Sequence, residues 1–314
     1  MLFEPVTTDH PLCVFIHMGK TGGNSLTNTF VRDPNFQGVG WCNKLDELTL
    51  ETIEDLNFLG GHCKKKHYEG LDRNIELVTM LRNPVGRFVS LYNWIKGYLD
   101  GQPRRRSVLP SEGWLERREQ ADPELVRSLY SFERYISYFE KYPNRVRTQI
   151  ADINKAIGMW DPETTIDDTI DILSNEFRFV GITELFEETI RGLCRIFGWP
   201  VINQPWNRIG CYEPQLTIDD LNTNQTTRIS ALLQGDMELY KLMRERFENY
   251  FCNTYSLADY RDYKATCIAR DELICRNVLG GGSEYIPSNF FANSKTMETL
   301  KAEIEIQKSI PPQQ

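Results

Sequence analysis

The stretch Leu12-Cys13-Val14-Phe15-Ile16-His17-Met18-Gly19-Lys20-Thr21-Gly22-Gly23-Asn24-Ser25-Leu26 sets the architecture. Residues 12–17 form an apolar run rich in β-type side chains, the pattern of a strand covered on both faces of a parallel sheet. A glycine-containing turn follows. From Asn24 to Val31 the pattern is helical, with Asn24 or Ser25 able to cap it. A strand running through a tight turn into a helix leaves free amide N–H groups at the helix start, and these attract an anion. Gly22 and Gly23 let the backbone approach a ligand. Lys20 adds a point charge, and Thr21, Asn24 and Ser25 add neutral donors. The set suits a cluster of phosphate or sulfate oxygens.

The alternation continues downstream. Residues 48–56 read as a helix and 57–61 as a short strand ending in Gly60-Gly61-His62. Residues 75–81 (I-E-L-V-T-M-L) read as a further strand. Arg82-Asn83 is the turn after it, and Pro84 suits the first position of a helix reaching Tyr98. Residues 99–123 contain Gly101, Pro103, Pro110, Gly113 and Pro123 and read as a long loop. Residues 124–142 predict one amphipathic helix, 177–181 a strand, 184–197 a helix stopped by Gly198 and Pro200, and 231–250 a further helix. The tail carries a Gly280-Gly281-Gly282-Ser283 linker and an amphipathic segment at 294–310. The expected fold is α/β: a P-loop-like three-layer fold with a central parallel sheet flanked by helices and a helical C-terminal extension. The expected division is a domain over 1–255 and an extension over 256–314. Segment 294–310 either docks on its own core or serves as a homodimer contact.

Composition narrows the function. The chain of 314 residues has 40% hydrophobic and 25% charged residues, as an ordinary globular protein does. A net charge of -8 argues against general nucleic-acid binding, though a few aimed donors in a cleft still accommodate an anionic ligand. No apolar run of about 18 residues predicts a membrane span. No secretory signal is visible in Met1-Leu2-Phe3-Glu4-Pro5, so the cytoplasm is the expected location. The 8 cysteines include no C-x-x-C pair, so neither zinc nor another metal is expected.

Gly19-Lys20-Thr21 resembles the end of a nucleoside-triphosphate P-loop. That motif needs a glycine six residues before its lysine, where this chain has Val14, followed by Phe15, inside the strand. Taken alone, the loop is equally readable as a tight β–α turn with an exposed lysine. A second motif, Val78-Thr79-Met80-Leu81-Arg82-Asn83-Pro84-Val85-Gly86-Arg87-Phe88-Val89-Ser90-Leu91-Tyr92, stands at the end of the next long strand. Arg82 can fork onto a phosphate, and Ser90, about two turns into the helix, can donate beside it. A surface ion pair and a helix filler would explain each residue singly, but not the two motifs at successive strand ends.

F-I-H-M-G-K-T-G-G-N-S-L resembles the 5′-phosphosulfate loop of the carbohydrate sulfotransferase superfamily that includes the heparan sulfate 2-O- and 6-O-sulfotransferases, and V-T-M-L-R-N-P-V-G-R-F-V-S-L-Y-N-W resembles its 3′-phosphate motif. The blocks 177–199 and 238–251 are similar to later parts of the family, so the resemblance runs from Leu12 to Phe251 in order. Met18-Gly19 stands where Ile-Pro is frequent, Asn83 where Asp is, and Gly86 where Glu is usual. The resemblance implies a donor, 3′-phosphoadenylyl sulfate (PAPS), with the product adenosine 3′,5′-bisphosphate (PAP) and no metal. It implies donor contacts from Lys20, Thr21, Gly22, Gly23, Asn24 and Ser25, with Arg82 and Ser90 on the 3′-phosphate, and Arg208 in the loop after Trp206 closing over it.

Lys20 is then placed to stabilise charge growing on the leaving phosphate. Of the 4 histidines, His62 follows a strand in a Gly-His element where the family carries its base. The alternative is a loop histidine that caps a strand end. His17 reads as part of the turn, and His67 as a weaker base candidate. Lys64-Lys65-Lys66 and Arg104-Arg105-Arg106 read as solvated loops; the sharper reading has them border the cleft of an anionic acceptor. The acceptor expected is a glycan or small molecule bearing a hydroxyl or amine, with neither nucleic acid nor membrane as partner. Two other readings stand beside this one: a P-loop nucleotide kinase or NTPase of related fold, and a non-catalytic protein that retains the donor site.

Overall fold

The computed structural model describes residues 2–7, 11–32, 38–42, 53, 56–99, 120–159, 161, 163–200 and 216–255. Arg104–Arg106, Arg208, the C-terminal extension 256–314 and most of the helix expected over 48–56 lie outside the described residues.

Five parallel strands make one sheet in the order β2-β3-β1-β4-β5. They are β1 (Leu12–Ile16), β2 (Val39–Cys42), β3 (Phe58–Gly61), β4 (Ile75–Leu81) and β5 (Phe177–Ile182). Every residue of β1 is buried, as a central strand covered on both faces must be. Phe15 stacks on Phe58, and Phe58 meets Phe30 of α1 (Gly23–Arg32) at 4.8 Å between centroids. The flanking strand β2 was not foreseen, because Val39-Gly40-Trp41-Cys42 is short and carries a glycine.

Helix α2 (Pro84–Leu99) follows β4 directly, as Pro84 predicts. Its Val85, Phe88, Val89 and Tyr92 pack with Leu129, Phe132, Tyr135, Ile136 and Phe139 into a second apolar cluster. The single helix expected over 124–142 is two helices, α3 (Pro123–Ser128) and α4 (Phe132–Lys141). Ser131 is extended and its hydroxyl accepts from the Arg134 N–H, so it opens a new helix where the apolar rhythm shows no break. Helices α5 (Gln149–Ala156) and α6 (Ile166–Asn175) were not foreseen; each begins on a threonine cap, Thr148 and Thr165. After β5 comes one 3₁₀ turn (Thr183–Leu185), then α7 (Phe186–Ile196). The helix expected over 231–250 breaks at Leu233 into α8 (Thr223–Leu232) and α9 (Gln234–Thr254).

Candidate active site

The sheet order puts β1 between β3 and β4, so the loop leaving β1 has the ends of both strands beside it. A switch point of this kind opens a crevice beyond the carboxyl ends of the strands. Ile16 pairs with Gly61 in register, so the next residues, His17 and His62, fall side by side. Leu81 pairs with Ile182, which sets Arg82 beside Thr183. Register alone therefore brings together the ends of four strands.

The loop is tightly wound. Lys20 has φ 70° and Gly22 φ 82°, both left-handed. For lysine that conformation costs roughly 1–2 kcal/mol, so the surrounding bonds must hold it. The Thr21 hydroxyl, fully buried, donates to the Met18 carbonyl at 2.9 Å. The N–H groups of Ser25 and Leu26 donate to the Gly22 carbonyl at 2.9 and 3.0 Å. As at any helix start, the N–H groups of Gly23 and Asn24 have no carbonyl inside α1 to meet. Gly23 sits against the His17 ring: an added Cβ would lie 2.0 Å from His17 Cδ2. The Lys20 ammonium reaches towards α2, 6.0 Å from the centre of the Trp94 ring. Ser90 is one turn before Trp94, on the same side of the helix.

Arg82 ties the second motif to the first. Its Nη1 donates to the Lys20 carbonyl at 3.1 Å. Its own peptide is clamped by Gln149, whose Oε1 accepts from Arg82 N and whose Nε2 donates to Arg82 O, each at 2.9 Å. Asp236 in turn accepts the N–H groups of Gln149 and Ile150, at 2.7 and 3.1 Å. Burial pulls the Arg82 guanidinium below its ordinary pKa, with Glu184 and Tyr240 pushing back. Among the described residues no carboxylate pairs with Arg82 within 4.0 Å, and Ser90 Oγ has no hydrogen-bond partner. A half-buried cation and an open hydroxyl on one side of the phosphate loop fit an anionic group such as a phosphate.

Residues without an expected role complete the frame. Arg87, 5% exposed, donates from Nε to the Gly19 carbonyl at 2.9 Å, from Nη1 to the Arg147 carbonyl at 2.7 Å, and from Nη2 to Asp152. Thr183 Oγ1 lies 2.8 Å from the Thr21 carbonyl and 3.0 Å from that of Leu81, so one hydroxyl spans the loop and the β4 end. Glu184 accepts from Asn83 N and from the Tyr240 hydroxyl, each at 2.9 Å. Asn83 Oδ1 caps α2 by accepting from Val85 and Gly86 N–H, so asparagine does here what an aspartate would. A Cβ on Gly86 would lie 2.9 Å from Ile218 Cδ1, so no larger residue fits without a shift.

His62 is exposed and stacks on His17 with ring centroids 4.8 Å apart and planes at 11°. Its Nδ1 lies 2.8 Å from the His17 carbonyl. Desolvation lowers its pKa from the ordinary imidazole value; the bond to His17 and Asp152 oppose this, and Arg147 adds to it. Burial holds the His17 imidazole well below its ordinary range, and the charges on His62, Lys20, Arg147 and Arg87 act in the same direction. His67 accepts the Lys64 N–H at Nδ1, 2.8 Å away, within the 3₁₀ turn Lys65–His67. Lys64, Lys65 and Lys66 are exposed just after His62.

The structure thus brings Lys20, Thr21, Gly22, Gly23, Asn24, Ser25, His62, Arg82 and Ser90 to one edge of the sheet. Thr183 and Glu184 could have been found by the signal that found Arg82, polar residues directly after an apolar strand. A model of the sulfotransferase family matches residues 5–251. The chain belongs to the sulfotransferase family. This sulfotransferase matches no curated protein. Among solved structures it is similar to mouse sulfotransferase SULT7A1 complexed with PAP, with 11% identity and a TM-score of 0.29, covering 97% of this chain and 91% of that one. A likeness that loose adds nothing to the family assignment. Among the described residues of the sulfotransferase, no helix is long and apolar enough to cross a membrane, and no three His, Cys, Asp or Glu side chains cluster as a metal would require.

Proposed function

We propose that this sulfotransferase takes its sulfuryl group from PAPS and moves it to a hydroxyl or amine of a glycan or small-molecule acceptor by in-line displacement, with His62 as the base. The observation that carries the reading is Arg82: a half-buried guanidinium with no ion pair among the described residues, bonded to the phosphate loop itself. Leaving a partly desolvated charge without a partner is costly, and a phosphate supplies that partner bidentately.

Arg82 and Ser90 hold the 3′-phosphate, and Arg208 closes over it. Lys20, the backbone N–H groups of Thr21, Gly22, Gly23 and Asn24, and the Ser25 side chain hold the phosphosulfate. The Thr21 hydroxyl is already committed to Met18, so Thr21 contributes its N–H. When bound, the donor supplies a sulfuryl group on a phosphosulfate anhydride, and PAP leaves. Lys20 stabilises the charge on the leaving side, where fixed charges act without reorganisation. His62 Nε2 takes the acceptor proton, while Nδ1–H stays on the His17 carbonyl and keeps the ring oriented. An NTPase reading is disfavoured by Val14, which stands inside β1 where a P-loop needs glycine.

The test is PAP release from PAPS over a panel of hydroxyl and amine acceptors. Wild-type protein should release PAP with at least one acceptor, and His62→Ala should bind PAP yet release it at most about a hundredth as fast. Equal release by His62→Ala removes His62 from the mechanism.

A further inference from the structure

Arg147 belongs to neither motif, yet it stands at the phosphate loop. Its near end is fixed. Nε donates to both oxygens of Asp152 at 2.9 Å, and its carbonyl accepts from Arg87 at 2.7 Å. Its far end is not fixed: the Nη groups hydrogen-bond to no described residue, and the side chain is 48% exposed. The Nη groups lie over Gly19, where an added Cβ would be 3.2 Å from Nη1 and 3.5 Å from Nη2. Any larger residue at that position would press on the guanidinium. Gly19 directly precedes Lys20, and both His17 and His62 feel the Arg147 charge.

A role confined to scaffolding would use only the Asp152 pair. The arrangement instead presents a planar donor fork, held at Nε by a carboxylate, against the loop at Gly19. Such a fork matches a tetrahedral oxyanion. We propose that Arg147 is a second cation of the phosphosulfate site, whose Nη groups hydrogen-bond the sulfuryl oxygens of the donor while Lys20 serves the leaving phosphate. This rests on the PAPS reading above. Arg147 gains and loses no proton and forms no covalent bond; its bonds to the oxygens persist as the sulfuryl group passes to the acceptor.

PAP lacks the sulfuryl group, so the ratio of PAPS to PAP affinity isolates the contact. Calorimetric titration of wild type, Arg147→Ala and Arg147→Lys with each nucleotide gives that ratio. Arg147→Ala should lose about tenfold in PAPS affinity and less than about threefold in PAP affinity, the scale of one charge-assisted contact. Arg147→Lys keeps the charge without the fork and should fall between the two. If Arg147→Ala fails to fold, a PAPS-to-PAP ratio in Arg147→Lys equal to that of wild type overturns the inference. Equal losses for both nucleotides, or none, overturn it as well. Wild-type protein that binds neither nucleotide overturns the PAPS reading and this inference with it; binding of both with an unchanged ratio in the variants overturns this inference alone.

Discussion

Nδ1 of His62 meets the backbone carbonyl of His17 at 2.8 Å, with the two rings stacked. A carbonyl only accepts, so Nδ1 carries the hydrogen and Nε2 carries the lone pair. The contact follows from register: Ile16 faces Gly61, and the chain continues in step for one more residue. The His62 ring is therefore oriented by the same strand that launches the phosphate loop.

The pH profile of turnover should reflect this setting. Desolvation lowers the His62 pKa, so the ring remains a neutral base below the ordinary imidazole range. The rate should rise with pH through an apparent pKa under about 6.5 and then level off. PAP release measured from pH 5 to 8 checks it; a midpoint at or above that value contradicts the assigned environment.

His17 makes a separate claim about stability. Its folded pKa is well below the unfolded value, so the folded state resists a proton that the unfolded chain accepts. Its contribution is complete above the unfolded pKa of about 6.5 and is lost as pH falls below it, by up to about 1.4 kcal/mol per pH unit. Urea unfolding at pH 7.5 and 5.5 should show wild type losing more stability than His17→Gln over that interval. Equal losses would mean that His17 titrates normally in the folded protein.

Gly23→Ala should be far more damaging than its size suggests. The new methyl would stand 2.0 Å from His17 Cδ2, so either the ring or the start of α1 must move. Overpacking of this kind costs about 1–3 kcal/mol, and the shift falls on the loop proposed to hold the phosphosulfate. A lowered melting temperature together with at least tenfold weaker PAP binding is expected. Unchanged PAP affinity would show that the loop tolerates the displacement.

Thr183→Val keeps shape and removes one hydroxyl. The carbonyls of Thr21 and Leu81 then lose a shared donor, at a cost of about 1–3 kcal/mol. Thermal unfolding should register the loss, and PAP should bind more weakly because the loop is no longer tied to the β4 end. A variant with wild-type melting and wild-type PAP affinity would remove Thr183 from the frame.

Much of this arrangement was legible in the sequence. The strands at 12–16, 58–61, 75–81 and 177–182 announce themselves as apolar runs, and their polar successors His17, His62, Arg82 and Thr183 mark one edge. What stayed hidden depends on side chains meeting across distance. Ser131 starts a helix inside an unbroken apolar rhythm. Gln149 and Asp236 support Arg82 from elements 67 and 87 residues away from their partners, where no spacing rule reaches. Arg147 reads as one of several arginines in a polar stretch until Asp152 and Gly19 define its two ends. The residues between 200 and 216, Arg208 among them, lie outside the described residues.

The central claim is that the phosphate loop and Arg82 together grip a nucleotide bearing 3′- and 5′-phosphates. Calorimetry with PAP and with magnesium ATP, on wild type and Arg82→Ala, tests it most directly. Wild type should bind PAP at least about tenfold tighter than ATP, and Arg82→Ala should lose about 10- to 100-fold in PAP affinity, as removal of a charge-assisted phosphate contact does. Tighter binding of ATP, or PAP affinity untouched by Arg82→Ala, would contradict the account.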